Sequence, residues 1–137
     1  MRRLACVGSL ALCMAFIAPT SAASVTSYQA TLAQGSVTGT ITVSLSGTGG
    51  TLTEHLSGLV PRSTAVLWLR AGVCSSSQFG IARVRQTASR TGKVALTVNL
   101  TSAMVGYFRL DWSRRGGVHA TLTDGATVAC ARLAART

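Results

Sequence analysis

"AVLWLRAGVC", residues Ala65–Cys74, decides how the rest of the chain is read. Successive side chains of an extended strand point to opposite faces, so Leu67 and Leu69 turn inward while Trp68 and Arg70 project from the other side. The same period-two alternation recurs in short runs separated by Gly and Ser. Residues 25–33 ("VTSYQATLA") place Tyr28, Ala30 and Leu32 on one face, and residues 37–46 ("VTGTITVSLS") place Ile41, Val43 and Leu45 together. Further strands are expected over 51–59, 64–71, 79–89, 92–101, 105–112 and 126–133, with no helical periodicity between them. From residue 24 onward the chain is dense in Thr, Val, Ser, Gly and Leu and holds only one proline, Pro61. Eight strands joined by short turns make an all-β sandwich or flattened barrel with one core.

The N-terminus carries Arg2 and Arg3, an apolar run from Leu4 to Ala18, Pro19, and the small residues Ser21–Ala23. This is the pattern of a secretory signal peptide over residues 1–23, leaving residues 24–137 as a single exported domain. At about 15 residues the apolar run is short of the roughly 20 that span a bilayer, so no transmembrane segment is expected. Leu12 before Cys13 argues against lipid anchoring. Removing the leader takes away Cys6 and Cys13 and leaves Cys74 and Cys130, which allow one pairing in an oxidising compartment. A redox or metal-binding role for them is disfavoured, because neither belongs to a C-x-x-C pair and no cation is fixed beside either.

The run "LSGLVPRSTAVLWLRAGVC" (Leu56–Cys74), followed by "GKVALTVNL" and "TVACARL", resembles the Greek-key β-sandwich shared by Cu/Zn superoxide dismutases and chordin-type (CHRD) secreted domains. The resemblance covers most of residues 24–137 and rests on strand order, glycine placement and the two cysteines. It implies a Cys74–Cys130 bridge that pins the loop after the fourth strand to the last strand. It also implies that two metal-ligand histidines of the dismutases fall at Trp68 and Arg70. Tryptophan offers no lone pair and arginine stays protonated, so neither can replace an imidazole. The chain holds only two histidines, His55 and His119, and three carboxylates, Glu54, Asp111 and Asp124. A dinuclear site needs about half a dozen ligands. Asp111, in "YFRLDW", is expected near the late ligand strand but lacks imidazole company. The loops "SSSQFG" and "TSAMVG" are also too short to cover a metal. The reading is therefore a metal-free, non-catalytic domain without a cofactor and with an extracytoplasmic structural or binding role; a cationic surface module for anionic polymers and a residual Cu/Zn dismutase are the alternatives.

Thirteen Lys and Arg against three Asp and Glu give a formal net charge of +10, to which Arg2 and Arg3 of the leader contribute. Residues 81–88 and 92–101 read as a hairpin whose outward side chains make a basic face of Arg83, Arg85 and Lys93, with Arg90 at the turn. Arg114 and Arg115 form a second basic point. Such a surface either keeps a β-domain soluble or binds anionic partners: cell-wall polymers, acidic polysaccharide, lipid headgroups or nucleic acid. Sequence-specific nucleic-acid readout is disfavoured, because the few aromatics do not interleave with the basic residues. Trp68 and Arg70 are the other candidate binding residues. The segment "SRRGGVHATLTDG" (Ser113–Gly125) is expected to fold over Trp68 and bury it.

Enzyme signatures are absent: there is no G-x-S-x-G, H-E-x-x-H or phosphate-cradling loop, and "GTGG" (Gly47–Gly50) reads as a turn. His55 and His119 read as exposed strand or loop residues. Glu54 is in phase with Leu52 and Leu56, which suggests a half-buried carboxylate paired with an arginine. "NLT" at Asn99 is a glycosylation sequon that matters only in a glycosylating host. Oligomeric state stays open.

Overall fold

The computed structural model describes residues 24–75, 79–124 and 127–137. The leader expected over residues 1–23 lies outside them, as does the middle of the "SSSQFG" loop. The elements run β1 (Thr26–Gln34), β2 (Val37–Ser46), β3 (Gly49–Ser57), β4 (Thr64–Ala71), β5 (Gly80–Thr87), β6 (Val94–Leu100), α1 (Ser102–Arg114), β7 (Val118–Asp124), β8 (Thr127–Arg132) and β9 (Ala134–Arg136).

The strands form two antiparallel sheets, one in the order β6-β3-β2-β1-β9 and the other β5-β4-β7-β8. Among the described residues they close no barrel, which corrects the flattened-barrel form of the expectation. Alternation drives the pairing: Ile41, Val43, Leu45 and Leu52 of the first sheet and Leu67, Leu69 and Leu122 of the second are all buried in one core. Apolar surface removed from water contributes roughly 25 cal/mol per Å², so these inward stripes are the main stabilising term.

Residues 105–112, expected as a strand, form most of α1. Thr101 is the N-cap, its Oγ1 accepting from the Met104 amide at 3.2 Å. Val105, Phe108 and Asp111 then fall at helical spacing on the buried face. Phe108 is fully buried, with the ring of Tyr28 at 4.9 Å, and stacks on Trp112 at 6.0 Å. The helix wins because the 105, 108, 112 spacing lets three large side chains reach one end of the core, which a strand would split between two faces.

Two further expectations change. The segment meant to cover Trp68 contains β7, which pairs edge to edge with β4 and sets Thr121 opposite Trp68. β5 and β6 are no hairpin: β5 pairs with β4 and β6 with β3, so the intervening residues arch from one sheet to the other. In that arch Ser89 N donates to Lys93 O at 2.9 Å, and Leu59 N to Gly92 O at 3.1 Å. Gly92 has φ +69°, and a Cβ there would stand 2.2 Å from the Leu59 carbonyl oxygen.

Left-handed backbone and a backbone clash act together at this position. We expect Gly92→Ala to lower stability by about 2 kcal/mol or more in urea unfolding, a cost of local backbone strain.

Candidate functional site

The register of the second sheet lays its outward side chains in rows. Arg83, Trp68, Thr121 and Cys130 form one row, and Arg70, His119 and Arg132 another, while Arg85, Val66 and Thr123 make a third. Trp68 is half-buried at the centre. Its ring carries the Arg70 guanidinium carbon 4.8 Å from the centroid and that of Arg83 at 5.4 Å. The indole also lies across Gly80, where a Cβ would meet Trp68 Cζ3 at 2.8 Å. Trp68 is thus covered by two cations and a glycine. Each cation–π contact is worth about 0.5–2 kcal/mol, depending on exposure.

The loop after β4 is tied to this face from several sides. Cys74 and Cys130 form a disulfide with Cα atoms 5.9 Å apart, closing a span of 56 residues. This is the pairing that the resemblance implies. Its outer anchor is β8, however, with the short β9 following it. His119, expected exposed, is buried, and its Nδ1 donates to the Gly72 carbonyl at 2.8 Å. Gly72 N donates to Gly117 O at 2.8 Å, and Arg132 Nη2 to Gly116 O at 2.7 Å. His119 is outward by strand parity and buried by the elements tied down over it, so alternation alone could not find it.

All three carboxylates are buried: Glu54 is 0%, Asp124 1% and Asp111 2% exposed. Asp124 accepts from Val60 N at 2.7 Å and from the Ser63 hydroxyl, fastening the β3–β4 crossover to the end of β7. Asp111 sits on the buried face of α1 rather than on a strand, with Arg115 Nε at 3.3 Å. The strand pattern calls for a half-buried Glu54 beside an arginine. Instead its Oε2 accepts from Gln86 Nε2 across the two sheets, while Glu54 Oε1 and Gln86 Oε1 find no partner. Burial pushes the Glu54 carboxyl from 4.5 up to about 7, partly offset by the Gln86 hydrogen bond. A proton on Oε1 would let the acid donate to Gln86 Oε1, satisfying both orphaned oxygens in a reciprocal acid–amide pair.

The residues present do not fit the copper and zinc of the dismutases. His119 is committed to Gly72, His55 lies on the first sheet, and each carboxylate has its own structural task. Among the described residues, no three His, Cys, Asp or Glu side chains gather into a metal-binding group.

Of the candidate binding residues, Trp68, Arg70, Arg83 and Arg85 share the outer face of the second sheet. Lys93 and Arg90 stand on the arch beyond it, with Lys93 lining a recess together with Arg85. The arginine that sequence reasoning missed is Arg132. The alternation of Ala129, Ala131 and Leu133 inward with Cys130 and Arg132 outward was the signal for it. No protein-family model matches the chain, and no curated protein matches it either.

Because folded Glu54 holds its proton up to about pH 7 and the unfolded side chain releases it near 4.5, folding takes up a proton between these values. Its contribution is therefore full below 4.5, falls as pH rises, and is lost above about 7, amounting to roughly 3 kcal/mol. We expect urea unfolding to show this decline between pH 5 and pH 8, and Glu54→Gln to flatten it.

Proposed function

We propose that the chain is an exported, metal-free β-sandwich of dismutase-like or chordin-type architecture. Its role is non-catalytic: the outer face of its second sheet binds anionic polymers of the cell envelope or extracellular matrix. The observation that carries this reading is the charge arrangement. Arg70, Arg83, Arg85 and Arg132 surround Trp68 on one face, while every carboxylate side chain of the protein is buried. An arginine cluster without surface counterions attracts polyanions over the distance of a Debye length, about 10 Å at 0.1 M salt.

The architecture has its own support. β6 returns from the β4–β5 pair to lie beside β3, a crossing of the Greek-key kind, and the Cys74–Cys130 bridge joins the loop that the resemblance points to. The leader pattern and the disulfide both suit an oxidising compartment outside the cytoplasm.

We expect purified residues 24–137 to be retained on immobilised polyphosphate or dextran sulfate and to elute with salt. Replacing Arg83, Arg85 and Arg132 by alanine reduces the dependence of log affinity on log salt by about one for each arginine that engages the polymer. Unchanged retention in this variant, or retention indifferent to salt, overturns the assignment. Trp68→Ala should weaken binding about two- to tenfold by releasing Arg70 and Arg83 from the indole.

A further inference from the structure

One seam of the sandwich is open. β5 pairs only with β4 and β6 only with β3, so each leaves alternate backbone N–H and C=O groups facing the gap between the sheets. Two recesses of about 250 and 410 Å³ follow this gap end to end, and Arg85 lines both. Their inward-facing apolar residues, Val84, Leu96 and Val98, pack against the core yet stay only partly buried, unlike their counterparts on the inner strands. The opposite seam is sealed, with Cys130 N donating to Gln34 Oε1 at 3.2 Å and β9 crossing to pair with β1.

We infer that the free edge of β5 is a docking site for an extended acidic peptide of another protein, which adds as a strand to the second sheet. The alternation of β5 sets the partner's pattern. A strand laid beside β5 turns every second side chain toward Val84 and the open core, which calls for apolar residues there. Its other side chains lie beside Arg83 and Arg85 on the outer face, which calls for Asp or Glu. The same arginines oppose a second copy of this chain, because two β5 edges would bring like charges side by side. Binding here does not rest on the polyanion reading. A polymer without a peptide backbone satisfies the arginines and leaves the strand edge unpaired.

The test uses residues 24–137 with the disulfide intact and a synthetic peptide as long as β5 in which valine and glutamate alternate. Amide hydrogen exchange of β5 is followed during titration. Binding with new protection of alternate β5 amides is expected. Methylating alternate backbone nitrogens of the peptide should weaken binding at least about tenfold, since the hydrogen bonds to the edge are lost while charge is kept. Arg83→Glu combined with Arg85→Glu, both at exposed positions, should transfer preference to the peptide carrying lysine for glutamate. Equal binding of a scrambled peptide without β5 protection overturns the inference and leaves electrostatic attraction alone. Failure of the peptide to bind overturns it as well. Protection of β5 that appears with rising protein concentration and no peptide also overturns it, in favour of self-pairing. Retention on polyphosphate is measured on the same preparation, so either reading can fail without the other.

Discussion

A carboxyl group cannot sit in a β-sandwich interior without a proton, a cation or a set of donors, and this chain buries all three of its acids. Each is accommodated differently. Glu54 meets an amide from the opposite sheet and holds its proton to about pH 7. Asp124 accepts a backbone N–H and a hydroxyl from the β3–β4 crossover, and Asp111 takes Arg115 one helical turn on. Glu54 and Asp124 join elements that are far apart in sequence, so the acids act as internal fasteners. The consequence appears outside, where, Arg115 beside Asp111 apart, no acidic side chain is left to neutralise the arginines. Interior satisfaction and surface charge are two results of one allocation.

Strand identity was legible wherever one face is buried. The β4 alternation correctly turns Leu67 and Leu69 in and Trp68 and Arg70 out, because a half-buried strand has a period of two and no competing solution. The pattern over 105–112 was ambiguous. "VGYFRLDW" contains apolar residues at both helical and strand spacing, and only the space at the end of the core selects the helix that buries Phe108. Partner choice was still less legible. The turn between β5 and β6 is short enough for a hairpin, but Gly92 approaching Leu59 holds it as an arch between sheets. His119 shows the limit of parity, since its side chain faces outward and is then covered by the loop that Cys74, Gly72 and Gly117 hold in place.

Within the candidate site, the individual arginines were readable and their grouping was not. Strand parity alone groups Arg83 and Arg85 with Lys93 across a hairpin. The sheets separate them, and the cross-strand neighbours become Trp68, Val66 and, further along, Arg132. Placing Trp68 between Arg70 and Arg83 changes what the cations can do. An arginine stacked on an indole keeps its guanidinium edge free for oxyanions while losing side-chain freedom before any partner arrives. That ordering cost is normally met at binding, so a clamp formed in advance favours affinity.

The asymmetry between the two seams follows from chain direction. β8 continues through the buried Leu133 into β9, so a covalent connection draws the sheets together at that side. At the other side the arch joins one end of β5 and β6 and α1 packs against β3 and β5 at the other, while the two strands themselves stay unpaired along the seam. The unpaired seam leaves Val84, Leu96 and Val98 only partly buried. A small domain tolerates such a gap at the expense of stability, and an unpaired edge beside it invites aggregation unless charge intervenes. Two outward arginines on one edge strand repel copies of the chain and favour acidic strands, so the feature that keeps the protein from pairing with itself also defines what it can pair with.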